Sequence, residues 1–247
     1  MTGLVLRDDD GGLATLTLNR PDKLNALSMA LFEELNAHLL AIAASDVVQC
    51  VVIRGAGKCF SAGHDLGGIA EGETHPTPNF QAHVVERLAT LPQPVIGAVH
   101  GHCYTGALEL ALAADIIVAA ESARFADTHA RFSLVPVWGM SQRLPRRIGA
   151  YRAREMMFTC RTYTGAEAAA MGLAAQCVAD ADYDKAVADL AAAILAQSSH
   201  SHRANKRLLL ETDGLALSAG LAHEVYFSAG RGPDMADRIA AFRNRKA

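Results

Sequence analysis

Two stretches of the 247-residue chain, Lys58-Cys59-Phe60-Ser61-Ala62-Gly63-His64-Asp65-Leu66 and Gly101-His102-Cys103-Tyr104-Thr105-Gly106-Ala107-Leu108-Glu109-Leu110, place small residues where a strand hands over to a helix. They constrain the chain to strand-turn-helix units. A glycine-rich turn after a strand lets a ligand come close to the backbone, and a helix N-terminus offers unpaired N–H groups to negative charge. Two such turns converging on one oxygen form a two-donor oxyanion hole, suited to an enolate or a tetrahedral oxyanion. Either turn alone is equally well read as a tight connection, so the reading rests on the pair.

The surrounding pattern fits parallel strands with helical crossovers. Residues 3–8 and 12–19 alternate apolar and polar positions around Asp9-Asp10-Gly11-Gly12, which predicts a β-hairpin. Ser28 is placed to cap a helix in which Leu31, Leu35, Leu39 and Ile42 recur at helical spacing. Cys50-Val51-Val52-Ile53 and Pro94-Val95-Ile96-Gly97-Ala98-Val99 are short continuous apolar runs, as expected of strands buried on both faces. A helix from Gly106 then leads into the run Asp115-Ile116-Ile117-Val118. Ligands in such folds gather at the carboxyl ends of the strands. Residues 69–80, with Gly72, Pro76 and Pro78, read as a mobile loop able to cover a substrate. From about residue 150 the chain turns alanine-rich and helical in period, over 183–196, 202–210, 215–227 and 233–243. The expected layout is a core over 1–195 and a C-terminal helical region over 196–247.

Composition excludes several classes. A chain that is 51% hydrophobic and 20% charged is not disordered, and at 247 residues it can bury one large core. A net charge of −3 gives no bulk attraction to nucleic acid or to an anionic membrane, so neither is expected as a partner. Met1-Thr2-Gly3-Leu4 runs straight into a strand pattern without a cationic, then apolar, leader, and a cytoplasmic location is expected. Five cysteines without C-x-x-C spacing fit reduced thiols. Cys59 and Cys103 lie inside the two turns without an activating base nearby in sequence, and read as buried small residues. His100 and His102 flank Gly101, but no complementary cysteine or carboxylate spacing accompanies them as metal ligands. Gly55-Ala56-Gly57-Lys58 lacks the spacing and the Ser/Thr of a P-loop, and Phe60 stands where a dinucleotide fingerprint needs its third glycine.

Phe60-Ser61-Ala62-Gly63-His64-Asp65-Leu66 resembles the F-x-A-G-x-D-(L/I) signature of the crotonase superfamily, the enoyl-CoA hydratase/isomerase family. The likeness runs along the chain. Asn19-Arg20-Pro21-Asp22-Lys23-Leu24-Asn25-Ala26-Leu27 is similar to the N-R-P-x-x-x-N-A-L opening of these proteins. Phe158-Thr159-Cys160-Arg161, followed by the 166–173 segment, resembles their F-T-G-x and A-E-A-x-x-x-G-L motifs, with Cys160 where the glycine belongs. The resemblance implies an α/β crotonase-like ββα spiral core, a C-terminal α-helical subdomain that makes homotrimers or dimers of trimers, and an acyl-CoA thioester as partner. It implies no permanently bound cofactor and no metal; coenzyme A arrives as part of the substrate.

By position, the resemblance makes the backbone N–H groups of His64 and Gly106 the oxyanion donors and Glu109 a base or water-orienting group. Aligned without gaps, residues 125–136 resemble the family segment F-G-x-P-E-x-x-x-G-x-x-P, and His129 takes the place of its second glutamate. An imidazole can serve as acid or base near neutrality. It can equally be a hydrogen-bonding core residue, and Asp127 is an alternative carboxylate if the backbone departs from that register. For coenzyme A the resemblance points to Lys23, Ala26, Leu27, Ala62, His64, Asp65 and Leu66, and to Phe242 and Arg245 in the tail. Asp65 has a plainer role as a helix N-cap. A solvated basic tail is the plainer reading of the terminus.

The activity these residues imply is hydration of a 2-enoyl-CoA. An isomerase or decarboxylase of the same family is the alternative, since the Ser-Ala-Gly-His-Asp form of the first turn also resembles methylmalonyl-CoA decarboxylases. A non-catalytic acyl-CoA-binding protein is the third reading.

Overall fold

The structure, a computed structural model, describes residues 3–244. The N-terminal hairpin forms as its alternation requires: β1 (Val5–Asp10) pairs antiparallel with β2 (Leu13–Leu18) across a two-residue turn. Ser28 caps α1 (Met29–Ala43) by accepting from the Leu31 amide, and the Leu31, Leu35, Leu39 and Ile42 side chains are buried on one face.

The apolar runs become parallel strands. β3 (Cys50–Gly55), β4 (Val95–Val99), β6 (Ile116–Ala120) and β9 (Gln176–Val178) follow β2 in a six-stranded sheet of order β1-β2-β3-β4-β6-β9. Continuous hydrophobicity is explained by burial of both faces. Val51 and Ile53 point into the main core with α1, whereas Cys50 and Val52 join a second cluster with Tyr183, Val187 and Ala191 of α8 (Tyr183–Leu195). A smaller three-stranded sheet of order β5-β7-β8 is built from β5 (His102–Tyr104), β7 (Arg124–Ala126) and β8 (Tyr163–Thr164).

The helices α2 (Leu66–Glu71) and α3 (Phe80–Ala89) fill the β3–β4 crossover, and α4 (Gly106–Leu112) follows β5. Between β7 and β8 come a 3₁₀ turn over His129–Phe132, α5 (Met140–Ile148) and α6 (Ala150–Thr159); α7 (Gly165–Ala170) then leads to β9. The tail is helical: α9 (Ser199–Thr212), α10 (Leu217–Tyr226) and α11 (Met235–Asn244). Lys206 of α9 docks the tail on the sheet, its Nζ 2.7 Å from Asp115 Oδ2 and 3.1 Å from the Gln93 carbonyl.

Of the segment over 69–80, residues 72–79 form a loop between α2 and α3 that is tied down at both ends. Asp65 accepts from the Gly67 amide and caps α2, so the first residues are helical. The rest is pinned by Glu73, whose carboxylate accepts from the Met29 amide (2.7 Å) and from Gln81 Nε2 (3.0 Å), and lies 2.9 Å from His64 Nε2. Composition is blind to those long-range bonds. No helix among the described residues is long and apolar enough to cross a membrane.

Candidate active site

The two turns that constrain the sequence meet in space. Leu27 donates to the Gly63 carbonyl and accepts from the Asp65 amide, which leaves the intervening His64 N–H facing the other way. Thr105 holds the second turn at φ 51°, a left-handed conformation that is costly for a β-branched residue and typical of functional sites. Its amide donates to the Ala126 carbonyl, and its hydroxyl accepts from the Thr128 amide and bonds the Thr128 hydroxyl. Neither the His64 nor the Gly106 amide has an acceptor among the described residues.

Close approach explains the glycines. A Cβ on Gly63, itself at φ +105°, would lie 2.6 Å from the Tyr104 carbonyl oxygen and 3.6 Å from the Gly106 nitrogen. A Cβ on Gly106 would lie 2.5 Å from the Trp138 ring and 3.3 Å from the His64 nitrogen. Two free N–H groups therefore border one small volume.

That volume opens into a cavity of about 590 Å³, lined by Ala62, His64, Leu66, Gly106, Glu109 and His129, with Phe132, Val135 and Trp138 among its apolar walls. Glu109, one helical turn into α4, is only 1% exposed. Its Oε1 accepts from the Trp138 amide at 2.9 Å and the Met140 amide at 3.0 Å. Oε2 is left facing His129, whose Nε2 is 3.8 Å away. Burial pushes the Glu109 carboxyl above the ordinary carboxylate range, and the Met140 amide, His129 and the Trp138 amide offset only part of that shift.

Asp127 does not supply the cavity with a carboxylate. His129 faces Glu109 across the cavity and Asp127 sits behind it, with Oδ1 2.6 Å from His129 Nδ1. Asp65 also lies off the cavity lining. It caps α2 and pairs with Arg20 Nη1 at 2.9 Å, which holds its carboxyl below the usual range. Leu27 is fully buried behind the first turn, and Lys23 and Ala26 belong to the strap around it, through a bond from the Ala62 amide to the Leu24 carbonyl. Phe242 lies on α11, away from the lining, and Arg245 lies outside the described residues.

The remaining sequence candidates stay apart from this chemistry. Burial raises the thiol pKa of Cys59, and that of Cys103 well beyond it, the opposite of nucleophile activation. His100 Nε2 bonds the Gly57 carbonyl, and no cluster of three metal-ligating side chains occurs among the described residues. Sequence reasoning misses Trp138, which stacks edge-on against Phe32, tilts over His64 at 4.7 Å and supplies an amide to Glu109. The only signal was that it is the single tryptophan of the chain.

Comparison with known proteins identifies the family. Residues 8–229 match the model of the enoyl-CoA hydratase/isomerase family. An Arabidopsis thaliana protein named "Probable enoyl-CoA hydratase 1, peroxisomal" is 35% identical over 225 residues, covering 88% of this chain and 81% of that one. The crystal structure of an enoyl-CoA hydratase from Bacillus anthracis superposes with a TM-score of 0.91 at 30% identity, covering 98% of this chain and 96% of that one. A Thermobifida fusca structure in complex with acetoacetyl-CoA gives 0.83 at 32% identity, covering 90% and 92%. The architecture is that of the crotonase fold. The chain belongs to the enoyl-CoA hydratase/isomerase family within the crotonase superfamily.

Proposed function

We propose that the protein hydrates a 2-enoyl-CoA. The observation that carries this reading is the placement of two free amides, His64 and Gly106, beside a buried carboxylate and an imidazole in one cavity. The amides hold the thioester oxygen as it gains charge, and one such donor contributes on the order of 3 kcal/mol to the transition state. With Oε1 of Glu109 occupied by two backbone donors, Oε2 takes a proton from water as its oxygen bonds to the β-carbon. The resulting enolate accepts a proton at the α-carbon from Nε2 of His129, which enters the cycle as the imidazolium and is left neutral. A proton shift from Glu109 to His129, neighbours at 3.8 Å, resets the pair.

Coenzyme A reaches this chain as part of the substrate, a reading supported by the Thermobifida fusca relative, whose structure is a complex with acetoacetyl-CoA. Exposed Leu209, Leu217, Leu221 and Val225 on α9 and α10 supply an apolar surface suited to a homotrimer or a dimer of trimers. One observation favours a second reading, isomerisation or decarboxylation. With an imidazole opposite Glu109, a single proton can be moved or added without a second carboxylate. Supplying a short 2-enoyl-CoA, a 3-enoyl-CoA and a malonyl-type CoA, while following hydration, double-bond migration and carbon dioxide release, separates these activities. Binding of all three esters without turnover of any would refute an enzymatic role toward them.

A further inference from the structure

We propose that Asp127 is a positioning residue that fixes the tautomer of His129 and makes Nε2 the nitrogen through which the substrate proton passes. This rests on the reading of His129 as the second proton-handling group. The device is local. In Asp127-Thr128-His129, a single oxygen, Oδ1, accepts both the backbone N–H of His129 at 3.1 Å and the ring at Nδ1 at 2.6 Å. The first bond is an Asx turn, which aspartate forms with the amide two residues on. The second follows because the turn swings the ring onto the same carboxylate.

Asp127 is 1% exposed and absent from the cavity wall, whereas His129 is part of it. An ionised carboxylate only accepts hydrogen bonds, so Nδ1 must carry the proton of the neutral ring. Nε2 is then the bare nitrogen, pointed at Glu109 Oε2 and the cavity. When Nε2 gains a proton, the imidazolium keeps a buried anion at its back, and when it gives the proton up the same tautomer returns. Rotation of the ring by half a turn would place carbon against Asp127. The backbone resists movement as well, because Ala126 and Thr128 are both bonded to Thr105 at the second oxyanion turn. The proton carrier and the oxyanion donor at Gly106 are thus fastened to one residue.

Asp127→Asn is the discriminating variant. An asparagine oxygen still satisfies the His129 amide, but its NH₂ group can also turn toward Nδ1, which releases the tautomer. Nitrogen-15 spectra of labelled protein, with the His129 signals identified as those lost in His129→Gln, are expected to show Nδ1–H in the wild type and an Nε2–H population in Asp127→Asn. We expect kcat on the 2-enoyl-CoA to fall about 10- to 100-fold, as for loss of a partner behind a working histidine, with KM within about twofold. A wild-type ring protonated at Nε2 in its neutral form, or full kcat in a folded Asp127→Asn protein, would overturn the assignment. If the variant fails to fold, the wild-type spectrum alone decides, since a neutral ring carrying Nε2–H and a bare Nδ1 there excludes the proposed lock. Full turnover in His129→Gln, with the wild-type ring held as Nδ1–H, would instead refute the proton-transfer reading beneath it.

Discussion

Glu109 Oε2 and His129 Nε2 face each other at 3.8 Å, too far for a direct hydrogen bond and close enough for both to touch one small molecule between them. Glu109 spends its other oxygen on the amides of Trp138 and Met140, so a single carboxylate atom is available for proton transfer.

The first prediction concerns the rate and its pH dependence. Water activation needs ionised Glu109, and burial raises the pH at which that carboxyl ionises. The acidic limb of kcat/KM is therefore expected above the ordinary carboxylate range. Glu109→Gln removes this limb together with most of the turnover, about 100-fold or more, and leaves CoA-ester binding in place. Unchanged turnover in this variant would take Glu109 out of the mechanism.

The same burial makes a stability prediction of opposite sign. The folded chain binds the Glu109 proton more tightly than the unfolded chain, so this group's contribution is fully present below the ordinary carboxylate range. It is lost as pH rises through the elevated folded value. Glu109→Gln lacks this step and keeps an oxygen for both amides. Its Tm is expected to exceed that of the wild type at neutral pH, with the gap closing in acid; a gap independent of pH would point to another cause.

At Gly106 the packing leaves no room for a methyl group, since the new carbon would lie 2.5 Å from the Trp138 ring. Gly106→Ala should displace the amide it carries and lower kcat by roughly 100-fold, the scale of a lost oxyanion donor. Overpacking of this kind costs about 1–3 kcal/mol, readable in a denaturant titration. A variant with normal kcat would mean that the Gly106 amide holds nothing during turnover.

Cys160 ends α6 in the left-handed region, with φ 52°, a conformation that glycine adopts without a Cβ penalty. A side chain there costs about 1 kcal/mol that glycine avoids. Cys160→Gly should raise Tm without altering turnover, and a lowered Tm would show that thiol burial outweighs the strain.

Much of this was legible before any coordinates. The hairpin, α1 with its Ser28 cap and the doubly buried strands follow from local periodicity and turn chemistry, written in short stretches of chain, whereas the grouping of His64, Gly106, Glu109 and His129 was implied by the family resemblance. What escaped depends on residues far apart in sequence. Glu73 pins the stretch after α2 by reaching Met29, and Trp138 supplies an amide to Glu109 from 29 residues along the chain. Asp127 illustrates a different limit. Its place beside His129 in sequence was visible, but only the Asx turn reveals that it backs the imidazole and does not enter the cavity.

The central claim is that this cavity makes and protonates a thioester enolate. Incubating the protein with a short 2-enoyl-CoA in heavy water and following the products by NMR tests it most directly. The account predicts a 3-hydroxyacyl-CoA carrying deuterium at the α-carbon, with both the product and the label lost in Glu109→Gln. An ester that binds but gains neither hydroxyl nor deuterium would contradict it.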